Sequence, residues 1–292
     1  MQKIAILICV SVLWLSIECI AQPKWQRSEP PKTVDLALFH SPMTANFPTT
    51  ETLGKGDFMY EISHRFLPAI KEGFRAFWGI DGPAQIRTAI SYGITNKIMV
   101  SLGHSNLLDN MDLQLKLKLF QIRSETLPGV IAIRGGIAVN TEVPESLNRG
   151  SLAGENFQYY TQLVYNTMLF NKKFGIGIVP SYLYNSNIFT VENQYTFTLG
   201  NYYQFYLNQM WSFWLELNPI ISGYQGFVRA DELGTKSHNH FATGLDIETG
   251  GHVFHLFVTN NSRINPSQFI VGSDKSAEID HLRLGFGITR HF

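Results

Sequence analysis

Alternation with a period of two runs through most of this chain. In MDLQLKLKLF, residues 111–120, four leucines fall on one face of an extended chain, and one glutamine and two lysines fall on the other. An α-helix would scatter those leucines around its circumference, whereas a β-strand turns successive side chains to opposite faces. The pattern therefore predicts strands that each have an apolar face and a polar face.

Segments with this alternation can be marked from Asp57 to the end of the chain. They cover residues 57–66, 84–93, 97–104, 111–122, 130–140, 157–170, 174–186, 195–205, 211–222, 240–248, 252–260 and 281–292. Short links alternate with longer links along the whole series, as in an up-and-down barrel with short periplasmic turns and longer outer loops. The sequence therefore predicts an all-β, antiparallel transmembrane β-barrel of about 12 strands, within a range of roughly 10–14.

The first residues have the features of an exported protein. Residues 1–22, MQKIAILICVSVLWLSIECIAQ, contain one cation, then an apolar run, and then the small residue Ala21. This order predicts a secretory signal peptide over residues 1–21 that is cleaved after Ala21. A lipoprotein is the alternative because Cys19 lies near the boundary, although Glu18 stands where lipid attachment requires a small residue. Both cysteines lie in this segment, so the mature chain is predicted to have no disulfide and no thiol chemistry.

Composition agrees with a membrane barrel. The chain after the signal segment has no run of about 18 apolar residues, so no membrane-spanning helix is predicted and a closed barrel is the remaining way to cross a bilayer. Charged residues make up 16% and aromatic residues 13% of the chain, whereas soluble domains are about one quarter charged. The 23 basic and 23 acidic residues cancel, which argues against a nucleic-acid partner. A soluble sandwich or lipocalin-like barrel is the competing fold.

The chain is predicted to divide into a signal peptide (1–21), a Pro-rich N-terminal segment (22–56) and the barrel (57–292). The Pro-rich segment is predicted to be irregular, either as a periplasmic tail or as a plug inside the barrel. The last strand is expected to pair with the first and to close the barrel. Its final residue, Phe292, resembles the C-terminal signal by which Gram-negative outer-membrane barrels are recognised by the barrel-assembly machinery.

Three further motifs carry a family resemblance. They are ETLGKGDFMYEISHRF at residues 51–66, FWGIDGPAQIRTAISYGITNKIMVSLGHS at residues 77–105, and LKLKLFQ at residues 115–121. The chain resembles an uncharacterised family of Gram-negative outer-membrane β-barrel proteins, most specifically over residues 36–121. The resemblance implies a barrel fold and a location in the cell outer membrane, and it leaves the function open.

If the apolar faces meet lipid, the opposite faces line the lumen. The candidate lumen-lining residues of a solute pathway are Glu61, Arg65, Arg87, Lys116, Lys118, Arg134, Glu216, Asp246, Glu248, His255 and Arg283. Rows of cations and carboxylates that face each other screen small solutes in pores. The same residues can also pair across a narrow bore and fill it. A conducting lumen and a static, paired lumen are therefore both open at this point.

Metal binding and catalysis have weaker support. His240 and His281, predicted on strands two apart at the outer rim, are weak candidates for metal ligands, and no cofactor is predicted. An outer-membrane hydrolase would need a His and a Ser two residues apart on one face of a strand. No such pair occurs, so no enzymatic activity is predicted.

The first functional hypothesis is a passive channel or uptake component for small solutes. The alternative is a closed structural or partner-docking barrel, and an outer-membrane hydrolase comes third. The predicted partners are outer-membrane lipid, the barrel-assembly machinery and, for a channel, a small solute.

Overall fold

The computed structural model describes residues 36–292, apart from residues 125, 191 and 229–234. The predicted signal peptide and the start of the Pro-rich segment lie outside the described residues. The strands form one antiparallel sheet. They are β1 (Phe58–Phe66), β2 (Ala84–Thr95), β3 (Ile98–Ser105), β4 (Asn110–Ile122), β5 (Gly129–Asn140), β6 (Phe157–Leu169), β7 (Phe174–Tyr184), β8 (Tyr195–Tyr206), β9 (Trp211–Asn218), β10 (Ile220–Gly223), β11 (His240–Thr249), β12 (His252–Thr259) and β13 (Arg283–His291).

The sheet closes on itself. β1 pairs with both β2 and β13, and β9 pairs with both β8 and β11. β9 and β10 are two halves of one barrel strand that is interrupted at Pro219, a residue with no backbone N–H to donate, and β8 pairs with both halves. The barrel therefore has 12 strand positions, and the predicted fold is confirmed.

The strand bounds agree with the sequence pattern to within two residues. The predicted strand over 211–222 is interrupted at Pro219, and the predicted strand from residue 281 begins instead at Arg283. The reason for the later start is a 3₁₀ turn over Ile279–His281, in which the His281 N–H donates to the Glu278 carbonyl at 2.9 Å. Local turn formation thus shortens the last strand by two residues.

Helical structure is sparse in the described part. The 3₁₀ segments are Ile70–Gly79, Glu145–Leu147, Gly154–Asn156 and Ile279–His281, and a four-residue α-helix, α1, spans Pro266–Phe269. No helix among the described residues has the length and apolar character needed to cross a bilayer.

The apolar strand faces point outward. On β4, Leu113 and Leu115 are 49% and 43% exposed, whereas Gln114 and Lys116 between and beside them are buried. Outward apolar residues on other strands include Ile86, Ile90, Leu102, Tyr159, Leu163, Ile178, Leu199, Phe213 and Leu256. A soluble sandwich or lipocalin-like barrel would bury this face, so the arrangement fits a barrel that meets lipid.

The last strand seals the barrel along β1. The register runs from Met59 opposite His291 to Arg65 opposite Gly285. Beyond the paired strands, the Phe292 N–H donates to the carbonyl of Phe58 at 2.9 Å. The role of Phe292 as an assembly signal stays a prediction.

Candidate functional site in the barrel lumen

Residues 36–53 fold back into the barrel and fill its lumen, and we call this segment the N-terminal plug. Most of its residues are buried. It forms a hairpin whose tip is closed by the Thr44 N–H, which donates to the Phe47 carbonyl at 2.9 Å. Both arms of the hairpin lie toward the short-turn end of the barrel. The described part of the Pro-rich segment therefore occupies the lumen.

Aromatic side chains anchor the plug. The Phe47 ring stacks on Tyr202 of β8 with centroids 5.9 Å apart, and Phe39 meets the same Tyr202 edge-on at 5.5 Å. Two wall glycines make room for these rings, because a Cβ at Gly200 would overlap Phe47 and a Cβ at Gly175 would overlap Phe39. The wall sequence is thus shaped to receive the plug.

Three cations face the lumen from β4 and β5, and we call them the cationic row: Lys116, Lys118 and Arg134. The Lys116 Nζ donates to the carbonyls of Pro42 and Thr49 at 2.7 and 3.2 Å. The Lys118 Nζ donates to a carboxylate oxygen of Glu51 at 3.1 Å. The two lysines of the row are therefore held by the plug.

Carboxylates face the lumen from the opposite wall, on β9 and β11. β11 lies six strand positions from β4 in either direction around the barrel. Glu216 of β9 contacts the Thr44 hydroxyl and accepts the Asn46 backbone N–H at 3.2 Å. Asp246 of β11 accepts the indole N–H of Trp214 at 2.6 Å and lies 2.7 Å from Nδ1 of His255. Glu216 therefore binds the plug, whereas Asp246 is held by the wall.

The two arginines of β1 and β2 have different partners. Arg87 forms a buried cluster with two wall carboxylates, with its Nε 3.3 Å from Glu61 and its Nη1 in contact with Asp112. Arg65 instead donates from Nη2 to the Ala45 carbonyl of the plug at 3.1 Å. The wall neutralises Arg87 by itself, while Arg65 depends partly on the plug.

A second segment fills the lumen from the long-loop end. Residues 260–274 between β12 and β13, which we call the inward loop, are predicted from sequence as part of an outer loop but fold into the barrel, where nearly all of them are buried. The Asn265 side chain donates to the Asn110 carbonyl at 3.0 Å. The Phe269 ring lies 5.2 Å from the Phe47 ring of the plug. The two segments meet there and occlude the lumen.

An ion pair fixes the end of the inward loop. Arg283 at the start of β13 donates from Nη1 to Asp274 at 2.7 Å, and the Ser262 N–H donates to the other carboxylate oxygen at 2.8 Å. Burial by itself would raise the pKa of Asp274, but Arg283 and the Ser262 N–H outweigh burial and hold the pKa below its ordinary value. Asp274 is therefore a carboxylate at neutral pH.

Glu248 lies at the short-turn rim, where it contacts Nδ1 of His40 and is partly exposed. The other predicted lumen-lining residues are buried inside the barrel. The structure brings them together around the plug and the inward loop rather than around an open bore. Their role in a solute pathway stays a prediction.

The two histidines that were weak metal candidates have separate surroundings. His240 is buried 3.6 Å from Glu216, with its ring 4.7 Å from that of Phe269. His281 is partly exposed, and its Nδ1 lies 2.7 Å from the hydroxyl of Ser276. The described residues contain no group of three or more His, Cys, Asp or Glu side chains placed to hold a metal ion.

The contact between Ser276 and His281 has no counterpart in the sequence prediction, since the two residues are five apart in a loop. Glu278 lies 3.9 Å from the same ring nitrogen that contacts Ser276. A hydrolytic relay requires the acid and the serine on different nitrogens of the ring. This cluster therefore does not reproduce that relay, and the absence of an enzymatic activity stays a prediction.

The inward loop is the part of the lumen that sequence reasoning missed. Its sequence, NNSRINPSQFIVGSD at residues 260–274, carries one arginine and one aspartate and includes the apolar run FIV. An outer loop in water would usually carry more charge. That shortage of charged residues was the sequence feature that could have indicated an inward position for this loop.

Solved structures of similar fold are outer-membrane proteins. The NanC porin aligns with a TM-score of 0.45 and 10% identity over 80% of this chain and 97% of the porin. An outer membrane channel from Pseudomonas putida aligns with a TM-score of 0.48 and 11% identity, covering 83% of this chain and 98% of the channel. Outer membrane phospholipase A from Escherichia coli has a TM-score of 0.38 and 12% identity, covering 80% and 90%. No curated protein matches the sequence.

One family model matches residues 39–292, a range that includes most of the plug and every strand of the barrel. Its domain has no assigned function. The family predicted from the motifs is thereby confirmed, with a wider extent than residues 36–121. The chain belongs to the family described as membrane-bound beta barrel domain (DUF5777).

Proposed function

We propose that the protein is a gated passive channel for small solutes in the outer membrane, and that the N-terminal plug moves for a solute to pass. The observation that carries the proposal is how the lumen is filled. The filler on the short-turn side is a separate segment rather than the side chains of the wall.

The plug can leave without disturbing the barrel wall. Its one backbone bridge, between Met43 and Pro48, is internal to the hairpin, and the sheet order contains no strand from residues 36–53. Its polar contacts with the wall are hydrogen bonds and two charged contacts, Glu51 with Lys118 and His40 with Glu248. Each is worth about 0.5–3 kcal/mol because water replaces it. Release of the plug therefore leaves the closed sheet intact.

The emptied side of the lumen would be polar. The cationic row on β4 and β5 would face Glu216 and Asp246 across the barrel. Opposed rows of charge create a field across the narrow part of a pore, and this field screens small solutes. The cationic row, Glu216 and Asp246 thus line a solute pathway through the part of the lumen that the plug vacates.

Export and assembly belong to the same proposal. The signal peptide is cleaved after Ala21, and the barrel-assembly machinery recognises the end of β13 with Phe292. The outward apolar faces then meet outer-membrane lipid.

A disulfide that locks the plug tests the channel. The Thr50 hydroxyl of the plug donates to the Asn166 side chain of β6 at 3.0 Å, and the Thr50 N–H donates to the same oxygen at 2.7 Å. Thr50→Cys with Asn166→Cys therefore brings two thiols close together. The predicted mature chain has no other cysteine. In a planar bilayer, the oxidised chain should stay closed and the reduced chain should open.

A matched control carries a disulfide within the wall. Ser91 and Ser101 are paired on β2 and β3 with hydroxyls 2.7 Å apart, so Ser91→Cys with Ser101→Cys adds a bond within the wall that does not tie the plug to it. Its conductance should not depend on reduction. If the reduced plug variant and the control are both silent while circular dichroism shows folded barrels, the channel proposal is wrong.

The second candidate is a closed barrel with a structural or partner-docking role. The observation that favours it is the inward loop, which fills the long-loop side and meets the plug at Phe269. Silence of the folded, reduced chain in the same experiment is the result this candidate expects.

A further inference from the structure

We infer that the channel selects small solutes that carry carboxylate groups, and that the plug occupies their binding site on the cationic row. This inference rests on the proposed channel function. Its starting point is the kind of group that the plug presents to each cation.

The plug presents a carboxylate to Lys118. Glu51 lies 3.1 Å from the Lys118 Nζ and is buried, and its other oxygen accepts the Leu38 N–H at 2.8 Å. The carboxylate is therefore fixed inside the lumen by the plug itself. It stands where the carboxylate of a solute would meet the wall.

The plug presents carbonyl oxygens to Lys116. Lys116 is 1% exposed, and its ammonium donates to the carbonyls of Pro42 and Thr49, both of the plug. No carboxylate of the described residues lies within ion-pair distance of Lys116. A buried ammonium is costly without compensating contacts, so Lys116 requires a new oxygen-bearing partner, or water, when the plug leaves.

Arg134 extends the row without adding a carboxylate. It is the cross-strand neighbour of Lys116. Its Nε donates to Gln162 at 2.8 Å and its Nη1 to Gln114 at 3.2 Å, and both acceptors are neutral amides of the wall. Its hydrogen-bond acceptors in the wall are therefore amides, and no carboxylate of the described residues lies within ion-pair distance of this cation.

The opposite wall behaves differently when the plug leaves. Asp246 keeps wall partners, namely Trp214 and His255. Glu216 loses Thr44 and Asn46 but keeps His240 at 3.6 Å. Plug release thus exposes more unpaired positive charge than negative charge, and the emptied lumen favours anions.

The spacing of the row suits a solute with two acidic groups. Lys116 and Lys118 are two residues apart on one face of β4, which places their Cα atoms about 6.6 Å apart. A short dicarboxylate can span this distance and replace the Glu51 carboxylate and the plug carbonyls together. Monocarboxylates would bind one ammonium at a time.

The test uses the full mature chain with Phe47→Ala, which removes the apolar anchor of the plug and keeps the cationic row. Reversal potentials in a potassium chloride gradient should show a preference for chloride over potassium. Succinate should reduce the chloride current at lower concentration than acetate does. Replacing both lysines, Lys116→Gln with Lys118→Gln, should lower the anion preference by about fivefold or more. This factor corresponds to the attraction between one cation and one anion about 4 Å apart in water.

Three controls separate the outcomes. Lys116→Arg with Lys118→Arg should keep the anion preference, and Lys97→Gln in the exposed turn after β2 should not change it. A heat-modifiable band on electrophoresis shows that each variant is folded. A folded Phe47→Ala chain without current contradicts the channel itself, whereas a current that is cation-selective, or that the Gln variant does not change, contradicts this inference alone.

Discussion

The lumen is filled by two segments that are anchored in different ways. The N-terminal plug, residues 36–53, joins the wall through residues 54–57 before β1 and is held by side-chain contacts. The inward loop, residues 260–274, is joined to the wall at both ends, directly to β12 and through residues 275–282 to β13, and its Asp274 binds Arg283 of β13. Loss of contacts can free the plug, whereas the inward loop stays near the lumen even when its contacts are lost. In the proposed channel, the larger movement is therefore expected of the plug.

Phe47 of the plug and Phe269 of the inward loop are in contact, but replacing each by alanine should change the open probability of the channel by different amounts. Phe47→Ala removes a fully buried ring from the plug, at a cost of about 3–5 kcal/mol. Every 1.4 kcal/mol is a factor of ten, so the open probability should rise by about a hundredfold or more. Phe269→Ala should open the channel less, because the plug keeps Tyr202 and its polar contacts. Single-channel recording measures both, and a larger effect of Phe269→Ala would reverse the assignment.

The anchor of the inward loop should respond to acid. A carboxyl group with a lowered pKa stabilises the fold above its ordinary pKa of about 3.9 and loses that contribution as the pH falls through the lowered value. Asp274 should therefore hold the inward loop at neutral pH and release it only below about pH 4. Removing the charge by Asp274→Asn should cost about 1.5–3 kcal/mol at neutral pH.

The measurement is labelling of Ser267→Cys, a fully buried position of the inward loop, with a pyridyl disulfide, which still reacts with thiols in acid. In the parent, labelling should be faster below about pH 4 than at neutral pH. The Asp274→Asn variant should label faster than the parent at neutral pH and should change less with pH. Labelling that depends on neither the pH nor the substitution would show that Asp274 does not anchor the loop.

A wall substitution should disturb the plug alone. Gly200→Ala places a methyl group where the Phe47 ring lies, and overpacking of this kind costs about 1–3 kcal/mol. The plug should shift, and less free energy should then be needed to displace it. The channel should therefore open more often. Gly150→Ala is the control, since a Cβ there meets no atom within 4 Å. Equal behaviour of the two variants would mean that the wall does not position the plug.

The smallest effect is expected at the short-turn rim. His40 of the plug contacts Glu248, and both side chains are partly exposed, at 42% and 34%. Exposed ion pairs contribute about 0–1 kcal/mol because water screens them. His40→Ala should therefore change the open probability by less than about fivefold. A change as large as that of Phe47→Ala would place the main anchor of the plug at the rim.

The sequence predicted the barrel wall of this protein but not the segments that fill its lumen. The period of two along β4 fixes which side chains face lipid and which face the lumen, since a slip of one residue would reverse both faces. The same pattern could not distinguish a tail from a plug over residues 22–56. That segment has no periodicity, and its partners are remote, as in the bond between Thr50 and Asn166.

The sequence predicted which residue types line the lumen, but it did not predict which of them pair with each other. The lumen-lining charges follow from the inward strand face, so Lys116, Arg134 and Glu216 could be named. The register of the strands around the closed barrel decides which cation contacts a carboxylate. The contact between Arg87 and Asp112 joins two different strands, and no local sequence pattern predicts it. In the long link before β13, the shortage of charged residues was a weak sign of its direction, and packing against Phe47 shows that it turns inward.

The sequence by itself determined the strands, their two faces, the closed barrel and the family, because alternation is a local property and one buried face specifies the rest. Tertiary structure decided that the lumen is occluded. The plug and the inward loop are irregular segments whose backbone and side-chain partners lie on distant strands, and those partners are brought together only when the barrel closes. Aromatic contacts and hydrogen bonds of that kind depend on distances in space, and spacing along the chain does not encode them.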